Sequence, residues 1–502
     1  MMESLAGLAQ GFGVAMTAAN LLWCLVGVAL GTAVGVLPGL GPTATISLLL
    51  PITYRLDATA SLIMLSGIYY GAMYGGSITS ILVKIPGEAS SIVTCIDGHE
   101  MARRGRAGAA LGISAFGSFI AGVVATFGVA LAGPPLAGLA LAFGPAEYTA
   151  LVLFGLVLVT QIGEGSRLRA LLMAALGLLA SAIGLDPISG MPRFTFGIVE
   201  LQDGLDIAVL AMGLFGVAEV LALAAARDDK AQMIDSPRGL RALLPDRADW
   251  RASAAPIGRG SVLGFVLGLL PGGGALISSF ASYVMERRLA KDPSRFGQGA
   301  IEGVAGPESA NNAAAQASFV PLLSLGIPSN VVMGVMIGAL MIQGIAPGPM
   351  LAAQRPDLFW GVIASMLVGN VMLLVLNIPL LPVFVALLRV PQRILAPLIL
   401  LFCVVGAYSL QNSAFDVVMV GIFGVLGFLL RLVKLDPAPF MLAFVLGELL
   451  EKSLRQALLI GIGSPMILVQ KPISATLLVM AALVLLWPAL RWVTTRTGRT
   501  RP

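Results

Sequence analysis

The sequence predicts an all-α polytopic membrane protein with about 11–12 transmembrane helices, broken or re-entrant hairpins, and two repeats of inverted topology. Of the 502 residues, 57% are hydrophobic and only 11% are charged, whereas a soluble domain carries about 25% charged residues. Such a chain cannot cover a water-facing surface, and it is too hydrophobic to be intrinsically disordered. Its length accommodates ten to twelve apolar helices of about 20 residues each, with short loops.

Several other classes are excluded by simple patterns. The three cysteines, Cys24, Cys95 and Cys403, are far apart and odd in number, which predicts neither a disulfide framework nor a metal cluster. The chain has no GxxxxGK[ST] phosphate-binding loop, and its first basic residue is Arg55, so we expect no cleavable signal peptide. The net charge of +5 comes from basic residues in short loops, which marks membrane topology and not nucleic-acid binding.

The two halves of the chain look alike. Three short motifs recur in the same order at offsets of 233, 242 and 250 residues: 35–46 with 268–279, 82–88 with 325–330, and 185–187 with 435–437. Such an ordered series predicts an internal duplication. We expect a first membrane repeat at 1–226, a cytoplasmic linker at 227–257, a second membrane repeat at 258–470, and an extra C-terminal helix with a basic tail at 471–502.

The distribution of basic residues predicts that the second repeat is inverted. The loop 161–169 is basic, but its counterpart at 410–416 has no basic residue. The loop 186–203 is mainly acidic, but its counterpart carries Arg431 and Lys434. Because basic loops stay in the cytoplasm, this exchange indicates an odd number of crossings per half.

Each half carries a Pro-Gly break in the middle of an apolar run, at 27–54 and 258–285. Basic residues flank the second run on both sides, so we expect it to enter the membrane and return as a hairpin. A single break would favour a simple kink in packed helices, but matching breaks in two halves point to a transport site. The candidate substrate-binding residues at the tips are Pro38, Gly39, Gly41, Pro271, Gly272, Gly273 and Gly274.

Small hydroxyl residues stand beside the tips, namely Thr43, Thr45 and Ser278. Free helix N-termini there would suit an anion, whereas unwound carbonyls with Ser, Thr and Asn oxygens would suit Na⁺. The alternative for each hydroxyl is a local bond to the carbonyl four residues earlier. The candidate Na⁺ positions lie near Gly39, Gly273 and Asn312.

A second pair of segments is unusually polar for membrane depth. The first, 69–80, leads to an Ile-Pro-Gly-Glu motif, and the second, 306–318, leads to Ile-Pro-Ser-Asn. Ionisable and amide groups at such depth are functional candidates. The candidate ligand-binding residues here are Tyr74, Gly76, Ser77, Asn311, Asn312, Pro328, Ser329 and Asn330. Glu88 and Glu308 are proton-carrier candidates, with a water-exposed helix end as the alternative for each.

The only histidine, His99, lies in a charged stretch with Asp97 and Glu100. It could titrate as a proton carrier, but its surroundings favour a solvated loop histidine, and the two acidic residues share this interpretation. No carboxylate pair, Cys-His dyad or metal-ligand spacing is apparent. The sequence therefore gives little support to an enzyme.

Four motifs in combination carry a family resemblance: GVLPGLGPT, IPGE followed by DG and MARRG, GLLPGGG, and PESANNA with LGIP. They resemble the large membrane subunit of tripartite tricarboxylate transporters, the TctA family, over residues 20–470. One departure is His99-Glu100, because the family pattern has an aromatic residue and proline after the Asp-Gly pair. That difference leaves the role of this loop open.

The resemblance implies a multi-pass permease of the bacterial inner membrane that imports citrate-like or other carboxylate anions. It implies secondary active transport driven by a cation gradient, with Na⁺ expected and H⁺ as the other candidate, and with no cofactor. The implied partners are a small four-helix membrane subunit and a periplasmic solute-binding protein. A non-coupled channel for organic anions is the alternative; a membrane-embedded enzyme is the weaker one.

Overall fold

The computed structural model describes residues 2–37, 40–160, 166–186, 189–225, 234, 239–270, 272, 274–388, 390 and 392–497. In the first half the helices are α1 (Met2–Ala15), α2 (Ala18–Val36), α3 (Gly41–Thr53), α4 (Ala58–Val83), α5 (Thr94–Met101), α6 (Ala107–Ala140), α7 (Pro145–Thr160), α8 (Arg167–Ser181), α9 (Ile207–Ala211) and α10 (Ala218–Ala225). Short 3₁₀ turns lie at Ala89–Ile92 and Val199–Asp203, and π-helical turns lie at Ala102–Arg106 and Met212–Val217.

In the second half the helices are α11 (Arg247–Gly268), α12 (Gly274–Leu289), α13 (Glu302–Ala317), α14 (Phe319–Leu325), α15 (Val331–Ile342), α16 (Leu351–Gln354), α17 (Pro356–Asn377), α18 (Leu381–Leu387), α19 (Gln392–Gln411), α20 (Ala414–Leu432), α21 (Ala438–Ile460), α22 (Ile467–Gln470) and α23 (Pro472–Thr497). Further 3₁₀ turns lie at Leu240–Leu243 and Pro293–Arg295. The helix α11 begins inside the stretch predicted as linker, most of whose other residues lie outside the described part.

The predicted all-α membrane class is confirmed. In the described part of the chain, the two-residue strands β1 (Gly184–Leu185) and β2 (Pro192–Arg193), which pair antiparallel, are the only extended pairing. Among the described residues, six helical segments are long and apolar enough to cross a membrane: Ala18–Val36, Thr94–Ala140, Ile207–Ala225, Pro356–Asn377, Ile394–Gln411 and Ala414–Leu432. Four shorter apolar helices accompany them, so the chain is a polytopic membrane protein.

Packing divides the chain into two compact units that differ from the sequence halves. The first unit contains 1–138 and 206–429, and the second contains 139–205 and 430–502. Each unit therefore takes segments from both halves. The repeat boundaries stay a prediction, because packing groups segments by contact and not by common origin.

In the first unit, α2 packs on α4 through glycines spaced four residues apart. A Cβ added at Gly27 would lie 2.3 Å from the Met64 carbonyl oxygen, and one at Gly31 would lie 2.4 Å from that of Ile68. Only glycine permits so close an approach, as in small-residue interfaces of membrane helices.

The helices α11 and α13 repeat this packing. A Cβ at Gly264 would lie 2.2 Å from the Ala310 carbonyl oxygen, and one at Gly268 would lie 2.5 Å from that of Ala314. Gly264 lies 233 residues after Gly31, and its partner Ala310 lies 242 residues after Ile68. These are two of the three offsets at which the sequence motifs recur.

These contacts also determine chain direction. Contact positions increase together along α2 and α4, so the two helices run parallel. The 13-residue α3 between them must run back, over about 20 Å at 1.5 Å per residue. The contact positions also increase together along α11 and α13, so these helices run parallel and α12 between them must run back. Both broken segments thus form the predicted hairpins.

The second unit packs α8 against α21 and carries a charge network beside the small β-ribbon. Arg455 contacts Asp186 at 2.8 Å and Glu451 at 2.7 Å, while Arg193 contacts Glu451 at 2.6 Å. At the other end of α8, the Arg169 guanidinium donates to the Lys434 carbonyl at 3.4 Å. The basic residues Arg169 and Lys434 therefore lie close together in this unit.

Candidate functional site

Both hairpins turn at glycines with left-handed backbone. Gly41 begins α3 with φ +49°, Gly274 begins α12 with φ +34°, and Gly272 has φ +79°. A Cβ at Gly41 or Gly274 would meet no atom within 4 Å, so the backbone angle, and not space, calls for glycine there. The other predicted tip residues, Pro38, Gly39, Pro271 and Gly273, lie outside the described residues.

The hydroxyls beside the tips bond within their own helices. Thr45 donates to the Gly41 carbonyl at 2.9 Å, and Ser278 donates to the Gly274 carbonyl at 2.8 Å. Thr43 is half-buried, and its carbonyl accepts the Ser47 hydroxyl at 2.8 Å. The equivalent bonds in the two hairpins favour the local alternative for Thr45 and Ser278.

The second hairpin tip contacts the Ile-Pro-Ser-Asn loop. The Gly272 N–H donates to the Ser329 carbonyl at 2.7 Å, next to the buried Pro328. Asn330 caps α15 by accepting the Met333 N–H at 3.0 Å, and its amide donates to the Tyr69 hydroxyl at 3.1 Å. This loop therefore joins the tip to α4.

The first Ile-Pro loop occupies the equivalent place. A Cβ at Gly87 would lie 2.0 Å from the Gly35 carbonyl oxygen and 2.7 Å from the Cα of Gly76. The loop thus passes between the end of α2 and the face of α4. Each Ile-Pro loop lies against the end of a hairpin, which is why these motifs recur together.

Residues of the two halves meet where α13 lies beside α4. Every residue of α13 from Gly303 to Ala317 is buried, and so is every residue of α4 from Ala58 to Leu82. Glu308 is 1% exposed. The water-exposed alternative for this glutamate is therefore wrong, because α13 is enclosed by other helices along its whole length.

Hydroxyl groups bond to the Glu308 carboxylate. Ser77 on α4 donates to Oε2 at 2.5 Å, and the Thr94 hydroxyl, at the start of α5, donates to Oε1. Within the described part of the chain, neither Glu308 nor Glu88 forms an ion pair with Lys or Arg. The positive charge that a buried carboxylate needs is not supplied by these side chains.

Glu88 lies close to Glu308 and is half-buried. Its carboxylate accepts the Ser90 hydroxyl and, at 3.5 Å, the amide of Asn311. A Cβ at Gly76 would lie 2.9 Å from the Glu88 Cγ, so glycine at this position makes room for the glutamate. We call Ser77, Glu88, Thr94, Glu308, Asn311 and Asn312 the inter-repeat polar cluster.

The amides of this cluster have unused oxygens. Asn312 donates to the Ser118 hydroxyl at 2.7 Å and to the Glu308 carbonyl at 3.0 Å. Its Oδ1, the Oδ1 of Asn311 and the Oε1 of Gln316 are buried with no hydrogen-bond partner. Three acceptors on one helix are thus left for a ligand.

Comparison with known proteins identifies the family. Residues 21–442 match the model of the tripartite tricarboxylate transporter TctA family. The chain belongs to the TctA family. It is 51% identical over 494 residues, 98% of each chain, to a 52.8 kDa protein in the TAR-I ttuC' 3' region of Agrobacterium vitis.

A second relative from the same organism is a protein in the TAR-II ttuC' 3' region. It is 51% identical over 231 residues, which are 45% of this chain and 96% of the relative. No solved structure matches the chain. Family membership confirms the resemblance seen in the motifs and makes the chain a transport protein of the membrane, as the permease class implies.

The expectation of a solvated loop around His99 and Asp97 is wrong for this TctA protein. Asp97 is fully buried, and its Oδ1 accepts the N–H groups of Gly297, Gly299 and Ala300 at 2.9, 2.7 and 2.8 Å. Its Oδ2 accepts the Tyr283 hydroxyl at 2.9 Å. Asp97 therefore joins the first half of the chain to the connection between α12 and α13.

His99 is also buried, at 8% exposure, with Nδ1 3.0 Å from the Ile81 carbonyl oxygen. The charged residues around His99 in the sequence are misleading. The helix α5 packs one face against α4, and only the opposite face of α5 is exposed to solvent. Glu100 is on that face and pairs with Arg103 at 2.9 Å. For Glu100 the solvated interpretation is correct.

Sequence reasoning missed three residues of this region. Asn370 on α17 is fully buried, and its Oδ1 accepts the Tyr74 hydroxyl at 3.4 Å. An amide side chain within an apolar segment could have identified Asn370 from the sequence, as it identified Asn311 and Asn312. Thr94 and Ser118 carried no such signal, since hydroxyl residues are common in membrane helices.

Proposed function

We propose that this chain is the permease subunit of a secondary active transporter that imports carboxylate anions, namely citrate, other tricarboxylates or related organic acids. A Na⁺ gradient drives uptake, with H⁺ as the alternative ion. The protein works in the bacterial inner membrane with a small four-helix membrane subunit and a periplasmic solute-binding protein. Membership of the TctA family supports this function class.

The pair of hairpins carries the proposal. Each returning helix, α3 or α12, begins at a positive-φ glycine close to an Ile-Pro loop. Helix N-termini offer N–H groups and a positive dipole end to an anion. Irregular backbone of this kind is tolerated at membrane depth where it is buried or lines a cavity.

The chemistry of the tips predicts weak intrinsic binding. The donors for a carboxylate are backbone N–H groups and the amides of Asn311, Asn312 and Asn330, and all three amides already donate within the protein. The Gly272 N–H donates to Ser329 and the Asn330 amide donates to Tyr69. The other two amides donate to Glu88 and to Ser118. Each neutral hydrogen bond contributes about 1 kcal/mol net, so a separate high-affinity binding protein has a physical purpose.

Uptake of radiolabelled citrate and other organic acids into proteoliposomes tests the function. The liposomes contain this chain with its small subunit, and the solute-binding protein is added outside. We expect accumulation against the gradient that requires the binding protein and an inward Na⁺ gradient, and that falls when choline replaces Na⁺ at fixed pH. Equal rates in Na⁺ and choline would reject Na⁺ coupling.

The paired breaks also fit a non-coupled channel for organic anions, which is the second candidate. A channel would equilibrate the anion without accumulation and without any need for the binding protein. The same proteoliposomes separate the two functions, because only a coupled permease raises the internal concentration above the external one.

A further inference from the structure

We infer that the inter-repeat polar cluster is a binding site for Na⁺, with the Glu308 carboxylate as its charged ligand. The amide oxygens of Asn311 and Asn312 and the hydroxyl oxygens of Ser77 and Thr94 complete the ligand set. This inference rests on the proposed function, since it gives the coupling ion a location. Of the three positions that the sequence predicted, near Gly39, Gly273 and Asn312, it selects the last, at the contact between α4 and α13.

The buried charge of Glu308 supports a cation at this place. Glu308 is 1% exposed, and the groups that bond to its carboxylate are the neutral hydroxyls of serine and threonine. An ionised carboxylate enclosed in a protein requires a counter-charge. A bound cation provides one where the described side chains do not.

Several oxygen acceptors beside Glu308 have no partner among the described residues. Residues 308, 311 and 312 lie within one turn of α13, and the two amide oxygens have no hydrogen-bond partner. Protonation of Glu308 would add one donor and satisfy at most one of them. A hard cation is bound by several oxygens at once, so it accounts for the whole set.

The kind of ion follows from the ligands. Among the described residues, no group of three or more His, Cys, Asp or Glu side chains is placed to hold a metal. One buried carboxylate with neutral oxygens fits a monovalent cation better than Ca²⁺, which takes six to eight oxygens, or Mg²⁺, which keeps several waters. Glu88, half-buried and bonded to the Asn311 amide, is a second carboxylate in the cluster.

This location would couple the ion to the hairpins. Ser77 lies on α4, which packs along the first hairpin, and Glu308 lies on α13, which packs along the second. A cation held between them favours the arrangement in which both supporting helices are together. Removing the ion leaves unscreened negative charge at that contact.

The test is direct binding of ²²Na⁺ to the purified full-length protein in detergent, without binding protein or carboxylate. The variants are Glu308→Gln and Asn312→Ala. Asn377→Ala is the matched control, because Asn377 is also a buried amide with an unpartnered Oδ1, on α17. Ser77→Ala is a milder variant that leaves the carboxylate in place, and gel filtration checks the fold of each.

We expect Glu308→Gln and Asn312→Ala to weaken Na⁺ binding at least tenfold, Ser77→Ala to weaken it less, and Asn377→Ala to bind as the wild type does. If the wild type binds Na⁺ and all the variants retain it, the site lies elsewhere and the inference is wrong. If the wild type binds no Na⁺ but the proteoliposomes accumulate citrate, the inference also fails, while the proposed transport function stands with a proton as its ion.

Discussion

The buried Asp97 makes a sharp prediction about stability. Asp97→Ala removes the acceptor of three backbone N–H groups and of the Tyr283 hydroxyl, all at 2.7–2.9 Å. A buried donor left without its acceptor costs about 1–3 kcal/mol, and Asp97→Ala leaves four such donors, so we expect a loss of several kcal/mol. Asp97→Asn keeps one oxygen for the N–H groups and offers its amide to the tyrosine oxygen. We expect it to cost only about 1–2 kcal/mol, the loss of charge-assisted bonding.

The measurement is the apparent unfolding temperature in detergent, read by the fluorescence of a thiol-reactive dye on the three buried cysteines. Asp292→Ala is the control, because Asp292 is exposed and caps only the 293–295 turn. The expected order of unfolding temperature is wild type and Asp292→Ala, then Asp97→Asn, then Asp97→Ala. Equal temperatures for Asp97→Ala and Asp292→Ala would refute the proposed role of Asp97.

Two tests concern glycines and one an amide. Gly41→Val or Gly274→Val should abolish citrate uptake without affecting membrane insertion, because valine disfavours positive φ. Normal uptake by both variants would show that the hairpin tips do not form the transport site. Gly264→Ala should destabilise by about 1–3 kcal/mol through overpacking on α13, whereas Gly258→Ala, with open space on the same helix, should not. Asn312→Ala should slow uptake about tenfold, or about 1.4 kcal/mol, measured at a Na⁺ concentration near half-saturation.

Composition and local pattern were enough for the class of the protein and the positions of its breaks. With 11% charged residues no soluble fold was available, and the Pro-Gly motifs marked the ends of α2 and α11 correctly. Composition and the Pro-Gly motifs are local features, since one stretch of chain contains all the residues that produce them. The repeat offsets also predict packing, because the glycines of α2 and α11 that contact α4 and α13 are separated by the same offsets as the motifs.

The tertiary structure alone decided which polar side chains meet. Ser77 and Glu308 are 231 residues apart in sequence, and Asp97 bonds to backbone about 200 residues away. The charged stretch around Asp97 therefore predicted a solvent-exposed loop, whereas the Asp97 carboxylate is buried in the fold. The physical reason is that burial and pairing depend on which helices cross. The contact between α4 and α13 depends on packing across the whole unit. No single segment of the sequence contains the residues that determine it.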